Sequence, residues 1–536
     1  MKPIINNIKW DRIWIHFYIS NLPSNSSVYI SSLDGKYIHP LKVTEDNPHI
    51  YLLNITNPGN CKMLPTGIFK LVYKGNEPND NFISIDETEI SDIRSFNKQF
   101  IYFHKERAYR VQFTSSNGFK LKSSDVKLNN LSVTHRIISI IRRLRNDSAK
   151  AVLRSIYNIQ YRFYHKHNKS NTRKSHLPYI LLMSDQSEQM GSNMSALKNA
   201  LIRKGYRPHT ALRAITTKHY SLHHWIKTLS KIAKADFIFL DDHSQTTDWL
   251  TIKGAVITQL WHAGAGFKST GYSRFGMPAS PAPKSGHRQY TYGIAGSKKI
   301  RHFFSEVWGI NDEMVLPTGM PRIDEFLNKA HIDEASDELI RIVSEKTGEN
   351  ITRNPNNCRI ILFAPTYRGE NKRKAYYPYN KLDFKRMYQL CEKTDSIIIF
   401  KMHPFVEDPV PIPEEYKDRM VDLTKYENIN DIFYITDLLI TDYSSNIYEF
   451  SLMKKPMLFY AFDIDKYSKE RGFHRDYRTN VPGKIVETFD DMIEAIEKKD
   501  FEFDKAREYI KNNFEHVDTH ACDRIIEWII QGNVPQ

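Results

Sequence analysis

The stretch from Asp431 to Phe462, DIFYITDLLITDYSSNIYEFSLMKKPMLFYAF, constrains the fold more than any other part of the chain. Asp437 to Thr441 is too short and too apolar for a surface helix, so it predicts a strand of a parallel sheet, buried on both faces and ending at Asp442. Ser444 and Ser445 are N-cap residue types and predict a helix opening there. Glu449 falls in its early turns, and Ile447, Phe450, Leu452 and Met453 form its packing face. Pro456 to Tyr460 predicts a second strand. Strand, serine turn, helix and strand make a βαβ unit. Its helix N-terminus offers backbone N–H groups, two hydroxyls and the positive end of a dipole, which together suit a phosphate. Glu449, about one turn further in, is placed to accept the hydroxyls of a ribose. The competing reading is an ordinary capped helix in an α/β domain. Asp442 is expected to orient the serine turn and not to bind metal, because no second carboxylate stands at ligand spacing.

The same scheme recurs upstream. Pro178 to Met183, Ala235 to Leu240 and Gly254 to Leu260 predict buried strands, the last running straight into Trp261, His262 and a glycine-rich turn that ends at Lys268. Ile294 to Ser297 and Val315 to Asp324 repeat strand followed by small-residue turn, and the second of these, with Thr318, Gly319 and Arg322, is expected to lead across a lobe junction. Arg359 to Ala364 opens a second α/β half and delivers Pro365-Thr366-Tyr367-Arg368-Gly369. Ser396 to Phe400 then delivers Lys401-Met402-His403-Pro404. Each half places a histidine just past a buried strand, where open α/β sheets bind ligands. Two doubly wound lobes with a cleft between them follow. The segment from Phe501 to Ile530 is expected to be helical and to pack across the lobes.

Residues 1–130 read differently. IWIHFYIS alternates, and Asp34-Gly35 and Asn117-Gly118 are hairpin signals, so a small β-sandwich is expected, as an accessory or assembly module without a catalytic constellation. Residues 131–176 form a helical connector, 177–325 the first lobe and 326–536 the second. The chain of 536 residues carries a formal net charge of +14. That charge is concentrated: Arg136, Arg142, Arg143, Arg145, Lys150, Arg154, Arg162, Lys166, Lys169, Arg173 and Lys174 stand against the single Asp147 in the connector. Ile137, Ile141 and Leu144, then Val152, Ile156 and Phe163, give it an apolar stripe. Packing on the next domain, contact with an anionic bilayer and contact with nucleic acid are the three readings, and the last is set aside because Tyr157, Tyr161 and Tyr164 match no RNA-binding motif. No run of 18 apolar residues occurs, and Lys9, Asp11 and Arg12 interrupt the N-terminus, so neither a spanning helix nor a signal peptide is expected. Four scattered cysteines without a CxxC pair argue against zinc and disulfides. The pairs His223-His224 and Asp241-Asp242-His243 lack a spaced third ligand, and neither metal nor cofactor is expected.

In order, LWHAGAGFKSTGYSR, PTGMPRIDEF, ILFAPTYRG, FKMHPF, LITDYSSNIYEFSLMKKPMLFYAFD and VPGKIV resemble the motifs of the CDP-glycerol glycerophosphotransferase family, which polymerises wall teichoic acid. The glycine-rich run after His262 and the β-rich N-terminal region look closer to the ribitol-phosphate polymerase branch. The resemblance implies a glycosyltransferase-B-like fold and transfer of polyol phosphate from CDP-ribitol or CDP-glycerol to a lipid-linked teichoic acid acceptor. It also implies peripheral attachment at the cytoplasmic face of the membrane, with the first lobe on the acceptor side and the second on the CDP-polyol donor side. It leaves homo-oligomerisation open. His262 is expected to act as the general base and His403 to bind a phosphate oxygen or protonate the leaving group. Lys401 and Arg368 would offset pyrophosphate charge. A nucleotide-sugar glycosyltransferase and a non-catalytic basic surface-binding protein remain the competing readings.

Overall fold

The computed structural model describes the chain apart from residues 1, 45, 75–80, 103–105, 117, 129–132, 169–176, 265, 279, 352–358, 370–371 and 536; of residues 81, 133–145, 166–168 and 372 it describes the backbone alone. Alternating sequence becomes alternating burial in the N-terminal region: along Trp14–Ser20 every second side chain is buried. The described residues there form a five-stranded and a seven-stranded sheet. Ile5, Ile15 and Phe17 from one and Ile30, Phe69, Val111 and Leu121 from the other share a single core. The expected hairpin joins Ser27–Ser32 to Ile38–Pro40, and Gly35 turns it at a φ of +71 that a side chain would strain.

A 36-residue helix, α1 (Val133–Asn168), leads out of the sandwich. Leu153, Ile156, Tyr157, Tyr161 and Tyr164 pack on the first lobe. The Tyr157 hydroxyl accepts the Lys253 N–H at 2.9 Å. Val152 and Phe163 do not join that face, contrary to the single stripe expected. With Ile159 they form a second, exposed stripe at a spacing of seven and four residues, which the helical period brings together. Arg136, Arg142, Arg143, Arg145, Lys166, Lys169, Arg173 and Lys174, with Ile137, Ile141 and Leu144, have side chains outside the described residues. No described helix is long and apolar enough to cross a membrane.

The first lobe has six parallel strands, β1 (Ile180–Ser184), β2 (His209–Leu212), β3 (Phe237–Leu240), β4 (Val256–Gln259), β5 (Tyr292–Ile294) and β6 (Val315–Leu316), in the order β2-β1-β3-β4-β5-β6. The second repeats the plan with β7 (Arg359–Phe363), β8 (Ser396–Phe400), β9 (Met420–Asp422), β10 (Leu438–Thr441), β11 (Met457–Tyr460) and β12 (Lys484–Val486), in the order β9-β8-β7-β10-β11-β12. Strand order therefore reverses between β1 and β3 in one lobe and between β7 and β10 in the other. Such reversal points open a crevice at the carboxyl ends of the strands.

Two features lock the lobes together. Gly264 and Gly296 leave room for the buried Tyr448 of the second lobe, where a Cβ on either would overlap it. The C-terminal segment, α2 (Asp504–Asn513) and α3 (Ala521–Ile525), returns to the first lobe: Asp324 caps α3 by accepting the Ala521 and Cys522 N–H groups, each at 2.8 Å, and Arg524 Nε donates to the Thr318 carbonyl at 2.8 Å.

Candidate active site

A cleft of about 670 Å³ lies between the lobes, at the carboxyl ends of their sheets. β4 ends in a forced turn: Trp261 takes a φ of +54, costly for so bulky a residue. Its N–H donates to Gln259 Oε1 at 2.9 Å, its carbonyl accepts Asn193 Nδ2 at 2.7 Å, and its ring meets Trp308 edge-on. The turn swings His262 into the cleft, where the ring is 61% exposed. Nδ1 faces Asp242 Oδ2 at 3.6 Å, and Arg322 donates to the His262 carbonyl at 2.9 Å. Although the ring opens to the cleft, the crowding walls desolvate it and pull its pKa below the ordinary histidine value. Asp242 opposes that shift, while Arg322 and Lys268 add to it. At neutral pH His262 is a neutral imidazole.

His403 follows β8 on the opposite wall. Its Nδ1 accepts the Phe405 N–H at 3.1 Å, which fixes the proton on Nε2. Tyr367 and Phe405 pack around the ring at 4.7 and 4.6 Å. Burial, with Lys268 and Lys401 adding, pushes its pKa down to about 4. It is therefore a neutral donor and not an acid at neutral pH.

Of the remaining expected residues, Ser444, Ser445 and Lys401 line the cleft. The helix of the serine turn is shorter and later than expected: it runs from Ile447 to Ser451 with Asn446 at its N-cap position. Ser444 Oγ instead accepts the Asn446 N–H at 3.3 Å. Five residues give little dipole, so the turn contributes hydroxyls and amides more than a helix end. Lys401 is tethered, its Nζ donating to the Thr424 carbonyl at 2.8 Å.

Arg368 does not line the cleft. Its guanidinium is buried and taken up by Asp463, at 2.7 and 2.9 Å, by the Thr366 carbonyl and by Asp442. Asp442 in turn accepts the Thr366 and Tyr443 N–H groups, fastening the ends of β7 and β10 at the reversal point. Glu449 is buried against Arg322, whose Nε lies 2.7 Å from Oε1. Neither faces the cleft where pyrophosphate charge or a ribose was expected, because each satisfies a partner far away in sequence. Thr318 and Gly319 lie behind the site, at the lobe junction.

Sequence reasoning missed Lys268, Arg274, Arg471 and His474, all of which line the cleft. Lys268 was signalled by the glycine-rich run that ends in it. Burial lowers its pKa to about 8, against the pull of Asp442. His474 carried no local signal. It is buried beside Glu306, with Nδ1 at 3.7 Å from Oε1, and Glu306 also accepts from Arg12 and from Trp14 Nε1 of the sandwich. The sandwich, expected as an accessory, thus touches a cleft residue through one carboxylate. Further along the wall, Arg274 faces the cleft while Tyr272 and Phe275 beside it enter the sandwich core, Phe275 stacking on Phe100.

A family model described as CDP-Glycerol:Poly(glycerophosphate) glycerophosphotransferase matches residues 165–531. The teichoic acid ribitol-phosphate polymerase TarL of Staphylococcus aureus (strain NCTC 8325 / PS 47) is 35% identical over 385 residues, 70% of this chain and 65% of TarL. TarK of the same strain is 33% identical over 391 residues, 71% of this chain and 72% of TarK. The chain thus spans a little under two thirds of the length of TarL. A solved structure of the wall teichoic acid polymerase TagF superposes with a TM-score of 0.55 at 20% identity, covering 75% of this chain and 98% of that one. The likeness extends the two-lobed, glycosyltransferase-B-like fold to this chain.

Proposed function

Because the chain belongs to the CDP-glycerol:poly(glycerophosphate) glycerophosphotransferase family, we propose that it transfers polyol phosphate from a CDP-polyol, ribitol phosphate in preference to glycerol phosphate, to a membrane-linked teichoic acid chain, with release of CMP. The observation that carries this reading is the cleft itself. Two neutral imidazoles from opposite lobes face a space edged by Lys268, Arg274, Lys401, Arg471 and the serine turn. The preference for ribitol rests on the names of TarL and TarK.

The chemistry follows from the protonation states. A primary hydroxyl of the acceptor gives its proton to His262 Nε2, since Nδ1 is turned to Asp242, and its oxygen attacks the phosphorus nearest the donor's polyol. The new P–O bond forms as the bond to CMP breaks, and CMP leaves with the electron pair. His403 donates from Nε2 to a phosphoryl oxygen as charge builds there, and Lys268 offsets the remaining negative charge. The His262 proton then passes to solvent.

We place the enzyme peripherally at the cytoplasmic face of the membrane. The basic segment from Arg136 to Lys174 and the exposed stripe of Val152, Ile159 and Phe163 on α1 support that placement, each basic residue near an anionic surface adding about 1 kcal/mol at most. Replacing the described Lys150, Arg154 and Arg162 by glutamine should weaken sedimentation with anionic vesicles, and wild-type protein that ignores such vesicles at physiological salt would refute it. The function is tested by following labelled polyol phosphate from CDP-ribitol and CDP-glycerol beside UDP- and CMP-sugars. Turnover of a UDP-sugar, with neither CDP-polyol consumed, would overturn the reading in favour of a glycosyltransferase.

A further inference from the structure

A second cavity, of about 330 Å³, meets the main cleft at His262; Asp242, Trp261, Ser445 and Asn446 also belong to both walls. It sits beyond the carboxyl ends of β1 and β3, with Gln186 and Gly191 from the loop after β1 and Asp241 and Asp242 from the loop after β3. That is the reversal point of the first lobe, just as the cleft occupies that of the second. The two spaces differ in charge. The cleft has Lys268, Arg274, Lys401 and Arg471 against Asp242 and Glu427, whereas the smaller cavity has Asp241, Asp242 and Glu449 against Arg322, the one lysine or arginine among its described lining residues, which is spent on Glu449. A phosphate is repelled from such walls, but a hydroxylated, uncharged group is not, because carboxylates accept hydroxyl hydrogens. Asp241 is partly exposed on that wall, and its Oδ2 lies on the Gly191 side, 3.4 Å from where a Cβ on that glycine would stand, so a carboxylate oxygen is at hand for a hydroxyl. The volume is that of about ten waters at ~30 Å³ each, enough for one polyol unit of about ten heavy atoms.

Resting on the transferase reading above, we propose that this cavity is the acceptor subsite. It takes the terminal, uncharged polyol of the growing chain, with Asp241 and Asp242 accepting its hydroxyls and the preceding phosphate left outside. A hydroxyl held there reaches His262 from one side while the donor phosphorus lies in the cationic cleft on the other. Asp241 and Asp242 then select the acceptor by counting its hydroxyls.

The test uses the full chain, CDP-ribitol, and two soluble acceptor analogues, one ending in ribitol and one in glycerol. Asp241→Asn should raise the KM for the ribitol-ended acceptor about 10-fold or more, as expected for loss of a charged hydrogen-bond acceptor, and leave the KM for CDP-ribitol within about twofold. Gly191→Ala keeps every charge but sets a Cβ 3.4 Å from Asp241 Oδ2. It should slow transfer to the ribitol-ended acceptor more than to the glycerol-ended one, so a misfolded Asp241 variant does not leave the matter open. Acceptor KM unmoved in both variants, or a rise confined to donor KM, overturns the subsite while wild-type turnover keeps the transferase reading standing. Wild-type protein that turns over no CDP-polyol overturns both.

Discussion

His262 and His403 occupy matching places, each just past a buried parallel strand, and their surroundings push them towards different tasks. His262 stands on a strained turn, open to the cleft, with a carboxylate at 3.6 Å that holds its pKa up against desolvation. His403 is enclosed by Tyr367 and Phe405 beside two lysines, and its pKa falls to about 4. A strand-end histidine is therefore only a position; desolvation lowers both pKa values, Asp242 opposes it at His262, and Lys268 and Lys401 add to it at His403.

Removal of His262 should have the largest effect. His262→Ala should lower kcat by about 10²- to 10⁴-fold and leave donor affinity by calorimetry nearly unchanged; an equal loss of donor binding would make it a binding residue like its counterpart. His403→Ala should cost about 10²- to 10³-fold, with His403→Gln recovering part of it because an amide N–H can replace Nε2–H. If His403 served as an acid instead, glutamine would recover nothing.

The pH profile sharpens the contrast with a smaller effect. His262 must be deprotonated, so kcat/KM should fall as pH drops through its pKa, below 6.5. Asp242 raises that pKa, so Asp242→Asn should move the acid limb to lower pH. At the other end, Lys268 loses its charge as pH rises through about 8, so activity should decline there, and Lys268→Arg should carry the decline to higher pH. A profile whose acid limb is unmoved in Asp242→Asn would detach the carboxylate from the histidine. The smallest effect belongs to the serine turn: Ser444→Ala with Ser445→Ala should remove hydroxyl contacts worth about 1 to 3 kcal/mol together and appear as a raised donor KM at nearly constant kcat.

Much of this site was legible because parallel strands buried on both faces read as short, unbroken apolar runs, and β8 and β10 do so without ambiguity. The residues just past such runs had to be His262, His403 and the serines. What could not be read were pairings over long separations. Arg368 finds Asp463 across 95 positions and Arg322 finds Glu449 across 127. Each pair ties an expected ligand residue to an internal partner, because a buried charge must be matched. The start of the short helix at Ile447 was misread because two good N-cap types precede it, while the structure uses Asn446. The role of the sandwich was hidden for a related reason: nothing near Phe275 in sequence marks a ring whose pocket lies in strands that end at Lys127.

That ring has a consequence for how the protein is made. The sandwich leaves the ribosome before the lobes, yet Tyr272 and Phe275, two side chains of its core, are synthesised long after its last strand. Its core is complete only once the loop beyond His262 exists, so the early-made module is expected to consolidate together with the first lobe. Heating or denaturant should then melt the sandwich and the first lobe in a single transition, and a ribosome stalled before residue 272 should display a sandwich that proteases still cut.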